Sequence, residues 1–214
     1  MKGIRNIVFD LGGVILQQEE KAAYEAFKEL GFRPAQRNPL LRLFIMRKLR
    51  QRMVEFINGN IPEEEFVQLL RSRCAPDTTE LQVKEALCRV AGEIPPSRLK
   101  WLEKLKKHYN VYLLSNLNNM LWEVTQHEMK RHGYTPEMCF HQIFLSYRMQ
   151  LAKPDVRIYK TLIEQTGIIP KETLYFDDVK ANIKAGRKIG FNSILVPLKH
   201  LFSAVFCKLQ RQKM

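Results

Sequence analysis

Four short apolar runs in this chain end on residues that can do chemistry. The stretch "IVFD" closes on Asp10, "VYLLSN" on Ser115 and Asn116, and "LYFDD" on Asp177 and Asp178, while "LAKPD" carries Lys153 just beyond a fourth run. A carboxylate can attack an electrophile, a hydroxyl and an amide can donate hydrogen bonds to an anion, and a lysine supplies a positive charge. Paired carboxylates can hold a hard cation. Taken singly, each has a plainer reading. Asp10 before Gly12 and Gly13 reads as a turn former, Ser115, Asn116, Asp177 and Asp178 as helix caps, and Lys153 before Pro154 as a solvated loop lysine. Those readings must explain four matching positions at once, and the positions match because of the elements around them.

Residues 4–10, 111–114, 143–146, 173–176 and 193–196 are short and apolar and read as buried strands. Between the later ones lie helical stretches from Pro96 to Tyr109, Leu121 to His132, Arg157 to Gly167 and Ala181 to Gly190, the last closing on a glycine suited to a C-cap. Alternation of strand and helix implies right-handed crossovers and a doubly wound parallel sheet covered on both faces, an α/β fold. From Glu20 to Gly92 the pattern is helical only, punctuated by the turns "NGNIP" and "CAPD". The expected organisation is a catalytic core of residues 1–18 and 93–214 with a helical insertion, 19–92, placed after the first strand. In such a sheet ligands bind beyond the carboxyl ends of the strands, where strand order reverses. That rule sends all four polar groups to one edge.

Composition narrows the partners. The 214 residues carry a net charge of +13, which favours anionic partners at long range. Between Glu29 and Glu55 there is no acidic residue, while Arg33, Arg37, Arg42, Arg47, Lys48, Arg50 and Arg52 accumulate. The segment reads as an amphipathic helix with a basic solvated face, and the tail from Lys199 to Lys213 as a docking helix with a basic end. No nucleic-acid-binding motif accompanies the stripe, so a small anionic substrate is expected rather than nucleic acid. No run approaches the roughly 18 apolar residues of a membrane helix, and no basic-then-apolar leader opens the chain, so the expectation is a cytoplasmic protein, monomeric or homodimeric. Cys74, Cys88, Cys139 and Cys207 have neither metal-ligand nor disulfide spacing. The five histidines show no metal spacing either, and Trp101 and Trp122 read as packing residues.

The order "FDLGGV", "LLSN", "AKPD", "YFDD" resembles the four motifs of the haloacid dehalogenase superfamily of hydrolases, over residues 5 to about 197. The resemblance implies a Rossmann-like core with a small helical cap. Within the superfamily the chain is similar to the phosphatases that include α-glucose-1-phosphate phosphatases, whose first motif also has glycine at the position of Gly12, although "DLGG" departs from the "DLGN" expected at Gly13. It implies a magnesium-dependent phosphatase for a small phosphorylated metabolite, such as a sugar phosphate, working through an aspartyl-phosphate. Asp10 would be the nucleophile, Ser115, Asn116 and Lys153 would hold the transferred group, and Asp10, the Gly12 carbonyl and Asp178, assisted by Asp177, would hold magnesium. Asn182, one helical turn after Asp178, would brace the site. Magnesium suits such a set because it takes oxygen ligands and offsets clustered negative charge.

Gly12 poses the open question. Most phosphatases of the superfamily have aspartate two residues after the nucleophile, where it protonates the leaving oxygen, and such help is typically worth about a hundred- to ten-thousand-fold in rate. Three answers stand. The leaving group departs without much protonation, as an anomeric oxygen or acyl phosphate can; a cap residue such as Glu19 or Glu20, or a water, supplies the proton; or the leaving group is halide. The last would make the chain a metal-free 2-haloacid dehalogenase, against which the Asp177–Asp178 pair argues, because clustered carboxylates need a cation. A non-catalytic protein that binds a phosphorylated ligand is the other alternative.

Overall fold

The computed structural model describes residues 3–33 and 39–196. Arg37, Cys207 and the basic tail from Lys199 to Lys213 lie outside the described residues. Five parallel strands form one sheet: β1 Asn6–Phe9, β2 Asn110–Ser115, β3 Gln142–Leu145, β4 Thr173–Asp177 and β5 Asn192–Leu195, in the order β3-β2-β1-β4-β5. The chain builds outward on one side of β1 to β3, then crosses to build β4 and β5 on the other. Strand order therefore reverses between β1 and β4, which pair directly with Phe9 opposite Phe176.

The helices follow in chain order. Five described helices lie between β1 and β2: α1 Glu20–Glu29, α2 Pro39–Ile57, α3 Glu63–Arg71, α4 Glu80–Cys88 and α5 Pro96–Lys106. Beyond β2 come α6 Asn119–Arg131, the short α7 Pro136–Cys139 and α8 Ser146–Met149, α9 Val156–Thr166 and α10 Lys180–Ile189, with a 3-10 turn at Pro170–Glu172. Gly190 closes α10 at φ 97, a left-handed conformation that glycine adopts without penalty. Ser146, expected as a strand end, instead opens α8, where its hydroxyl donates to the Ile57 carbonyl at 2.6 Å.

Alternation within the strands sorts the core into two layers. Ile7 and Phe9, Val111 and Leu113, and Leu174 and Phe176 face one side, where Leu99, Leu102, Trp122 and Met129 of α5 and α6 cover them. Val8, Tyr112, Leu114 and Tyr175 face the other, under Ile158, Tyr159, Leu162 and Ile183 of α9 and α10. A sheet buried on both faces needs the near-continuous apolar strands this sequence has.

A third, smaller apolar cluster joins Phe56, Phe66, Val67, Leu70 and Val83 from α2, α3 and α4 to Met120 of α6. Helices α1 to α4 pack on one another, and no described residue between 20 and 88 belongs to a strand. The two connections to the sheet lie side by side: Gln17 N–H donates to Glu93 O, Gly92 N–H to Gln17 O, and Glu19 N–H to Val90 O, at 2.9 to 3.0 Å. No described helix is long and apolar enough to cross a membrane.

Candidate active site

Asp10 lies one residue beyond the end of β1, its N–H still bonded to Phe176 O of β4 at 2.9 Å. Lys153 reaches it from the loop after α8. The Lys153 Nζ sits 2.9 Å from Asp10 Oδ1 and 2.7 Å from Asp177 Oδ2, so one buried ammonium bridges two buried carboxylates. Asp178 completes a group of three carboxylates whose nearest oxygens fall within 4.8 Å of one another. Ser115 ends β2 beside β1 and is buried.

The polypeptide after Asp10 is shaped to admit these groups. Gly13 has φ 69, and a β-carbon there would run into the Asp178 carboxylate, so only glycine lets the acid close over the turn. The turn is fastened on the Leu11 carbonyl, which accepts from Ile15 and Leu16 N–H at 2.8 Å. Leu11 N–H donates to Asp10 Oδ1 at 2.7 Å. Among the described residues both hydrogen bonds to the Asp10 carboxylate therefore end on Oδ1.

Asp177 is the most enclosed of the three acids. It is fully buried and accepts from Lys153, from the Tyr175 hydroxyl, from Asn182 Nδ2 at 3.0 and 3.1 Å, and from Val179 N–H at 2.8 Å. Asp178 is half-buried. Asn116, expected to meet a bound anion, faces the lysine loop: its Nδ2 donates to Lys153 O at 2.8 Å and its Oδ1 accepts Lys153 N–H at 2.9 Å. That reciprocal pair fixes the backbone from which the ammonium projects. Tyr175 was not legible as a site residue, although its place two residues before Asp177 on one strand puts both on one face.

The electrostatics follow from burial. Desolvation pushes the Asp10 carboxyl up to about 6, opposed by Lys153 and aided by the nearby Asp177 charge. Asp178 is raised for the same two reasons, burial first and Asp177 second, with a further contribution from Glu20. Burial works against the Lys153 charge, but Asp10 and Asp177 outweigh it and hold the ammonium above the ordinary lysine range. Three carboxylates with one ammonium leave an excess of negative charge facing the site.

These oxygens fit a hard divalent cation. Asp178 and Asp10 are the acids with carboxylate oxygens not taken up by several donors, and the excess charge is what a cation would offset. Glu19 and Glu20, considered as proton sources, are exposed at the start of α1, and Glu20 lies near enough to Asp178 to raise its pKa.

Comparison with known proteins agrees with this geometry. Residues 4–190 match the haloacid dehalogenase-like hydrolases. A D-ribitol-5-phosphate phosphatase of Bacteroides thetaiotaomicron is 32% identical over 192 residues, covering 89% of this chain and 90% of that protein. A crystal structure of a haloacid dehalogenase family enzyme from the same organism superposes with a TM-score of 0.87 at 30% identity, covering 96% of this chain and 99% of the other. The wild-type form of that enzyme in complex with magnesium and inorganic phosphate gives a TM-score of 0.84 at 29% identity, over 95% of this chain and 100% of its own. With its strand order, its four motifs and these relatives in agreement, the chain belongs to the haloacid dehalogenase-like hydrolase family.

Proposed function

We propose that this hydrolase is a magnesium-dependent phosphatase acting on a sugar or polyol phosphate through an aspartyl-phosphate on Asp10. One observation carries the reading: a buried lysine bridges Asp10 and Asp177 while Asp178 closes a three-carboxylate group, an arrangement whose surplus negative charge calls for a cation before an anionic phosphate can approach. The magnesium complex and the ribitol phosphate activity of the relatives support it. The polyol phosphate moves the substrate away from the anomeric phosphate that the glucose-1-phosphate resemblance implies, toward a phosphate on an ordinary alcohol.

In this mechanism Asp10 attacks phosphorus with its carboxylate, which divides one difficult displacement into two easier ones. Lys153 holds its charge against the phosphoryl oxygens, and Ser115 donates a hydrogen bond to one of them. Asp177 anchors the ammonium, Asn116 anchors the same lysine's backbone, and Asn182 and Tyr175 hold Asp177 in place. Asp10, Asp178 and the Gly12 carbonyl would hold magnesium, with Asp177 kept as the anchor of Lys153. When bound, the ion offsets the charge of carboxylates and phosphate as they approach. Residues 19–92 act as a cap over this edge, joined to the core, 1–18 and 93–214, by the paired connections, and select substrate while excluding water.

The test is phosphate release from ribitol 5-phosphate and from glucose 1-phosphate, with magnesium and with a chelator, for the wild type and Asp10→Asn. Magnesium-dependent release that falls at least about a thousandfold in Asp10→Asn is the expected result. Phosphate release indifferent to the chelator, or halide release from a 2-haloacid in its presence, would overturn the proposal. Binding of inorganic phosphate with no turnover of either ester would favour the non-catalytic reading.

A further inference from the structure

The space beside Gly12 is filled from elsewhere in the chain. A β-carbon built on Gly12 would lie against Gln18 Nε2 and 3.1 Å from Gln18 Cδ, so the Gln18 carboxamide occupies the volume into which a side chain at position 12 would grow. The residue is delivered there by main-chain pairing. Gln18 bridges Ala91, and Gln17 and Glu19 bond to residues 90–93 on either side of it. Gly12 itself lies between the Asp10–Leu11 turn and Gly13, which Asp178 covers. The glycine pair is thus flanked by two side chains, a carboxylate over Gly13 and a neutral amide over Gly12. Gln18 is also exposed as a residue.

We propose that Gln18 contacts the leaving-group oxygen of the ester and stands where an acid at position 12 would stand. The proposal rests on the phosphatase reading above. As the bond from an Asp10 oxygen to phosphorus forms, the ester P–O bond breaks and its electron pair stays on the departing alcohol oxygen. The amide N–H donates a hydrogen bond to that oxygen as charge grows there, an interaction stronger in the transition state than in the bound ester. An amide releases no proton, so water protonates the alkoxide and becomes hydroxide. Hydrolysis of the aspartyl-phosphate then takes up one water and releases the proton that neutralises the hydroxide, and the net reaction consumes one water per ester. An amide also stays neutral at every working pH, so it adds no fourth charge to the three carboxylates.

A hydrogen bond to developing charge matters most when the leaving group is a poor one. Gln18→Ala is expected to lower kcat/KM about tenfold on ribitol 5-phosphate and by less than about threefold on p-nitrophenyl phosphate, whose phenol leaves readily. Gly12→Ala, whose methyl pushes the amide aside without changing Gln18, should show the same selective loss, and the double variant should lose little more than either alone. Gln18→Glu, whose ionised carboxylate at neutral pH accepts hydrogen bonds but donates none, should lose at least as much activity on the alkyl ester as Gln18→Ala. Equal losses on both esters, or losses confined to KM, would mean a purely structural residue and overturn the proposal, as would unchanged rates. The wild-type arm stands apart: no magnesium-dependent turnover of either ester defeats the phosphatase reading itself.

Discussion

The strand-end site and the helical segment 20–88 hold their charges in opposite ways. At the site, a few charged groups are buried and each is fixed by several partners: Asp177 receives four different donors, and Lys153 is gripped at its ammonium and at its backbone. On the helical segment, Arg47, Lys48 and Arg50 are exposed on α2, and the partly exposed Arg52 pairs with Glu55 and Glu65. Buried charges must be positioned because an unmatched one is expensive, whereas solvated charges can move without penalty. The site is therefore built to be rigid before substrate arrives. The helical segment presents a field rather than a geometry.

The contrast can be broken most directly at Asp177. Asp177→Ala would leave Tyr175, Asn182 and the Val179 N–H without their common acceptor and Lys153 with Asp10 as its remaining anion. Removing one partner of a buried pair costs about 3–5 kcal/mol. In a chain of this size that corresponds to a fall in Tm on the order of 10 °C. Arg52→Ala, which removes a partly exposed cation with two carboxylate partners, should cost on the order of 1 kcal/mol or less. Thermal unfolding of the two variants side by side is the measurement. Equal shifts would mean the site is no better organised than the surface.

Magnesium should sharpen the same contrast through pH. The Asp10 carboxyl is raised from 3.8 to about 6 in the folded chain. A raised folded pKa means the native state binds more protons than the unfolded one between those values, so this contribution stabilises the metal-free fold below about pH 4 and is lost as pH rises through about 6. Above that pH the ionised acid is held against its own burial, and a cation relieves it. The rise in Tm caused by saturating magnesium, several degrees at a concentration roughly a hundredfold above Kd, is expected to be largest at pH 7–8 and to shrink toward pH 5, where the proton competes. A rise independent of pH from 5 to 8 would show that the ion binds away from Asp10.

How far the sequence reveals this depends on the range of the interaction. All five strands can be read because each is a short run of apolar residues bounded by polar ones, and the strand-end rule then brings Asp10, Ser115, Asp177 and Asp178 to one edge. The end of β4 is harder. Read as residues 173–176, it leaves both acids in the loop, whereas the strand runs through Asp177 and turns that carboxylate inward with Tyr175. Asn116 shows the same limit in another form: its partner is the backbone of Lys153, 37 residues away, and nothing local distinguishes that from an anion ligand. Gln18 is less legible still. Its approach to Gly12 follows from the pairing of residues 17–19 with 90–93, a contact between the two ends of the helical segment.

The smallest effect is expected on α2, and it tests whether the field of the helical segment serves the site at all. Arg47, Lys48 and Arg50 are exposed on one helix, and the Arg42 side chain, which shares the basic run, lies outside the described residues. Exposed charges act over about one Debye length, roughly 10 Å at 0.1 M salt, so they can raise the local concentration of an anion without touching it. Arg47→Glu should therefore raise KM for a phosphorylated substrate about two- to threefold at low ionic strength, with kcat little altered, and the difference should vanish in about 0.5 M salt, where the screening length falls well below the distances involved. Initial rates across substrate concentration at both ionic strengths give the answer. A KM that does not move at low salt would make this face merely solvated, and substrate selection would then rest on the residues at the paired connections and the turns that meet the sheet edge.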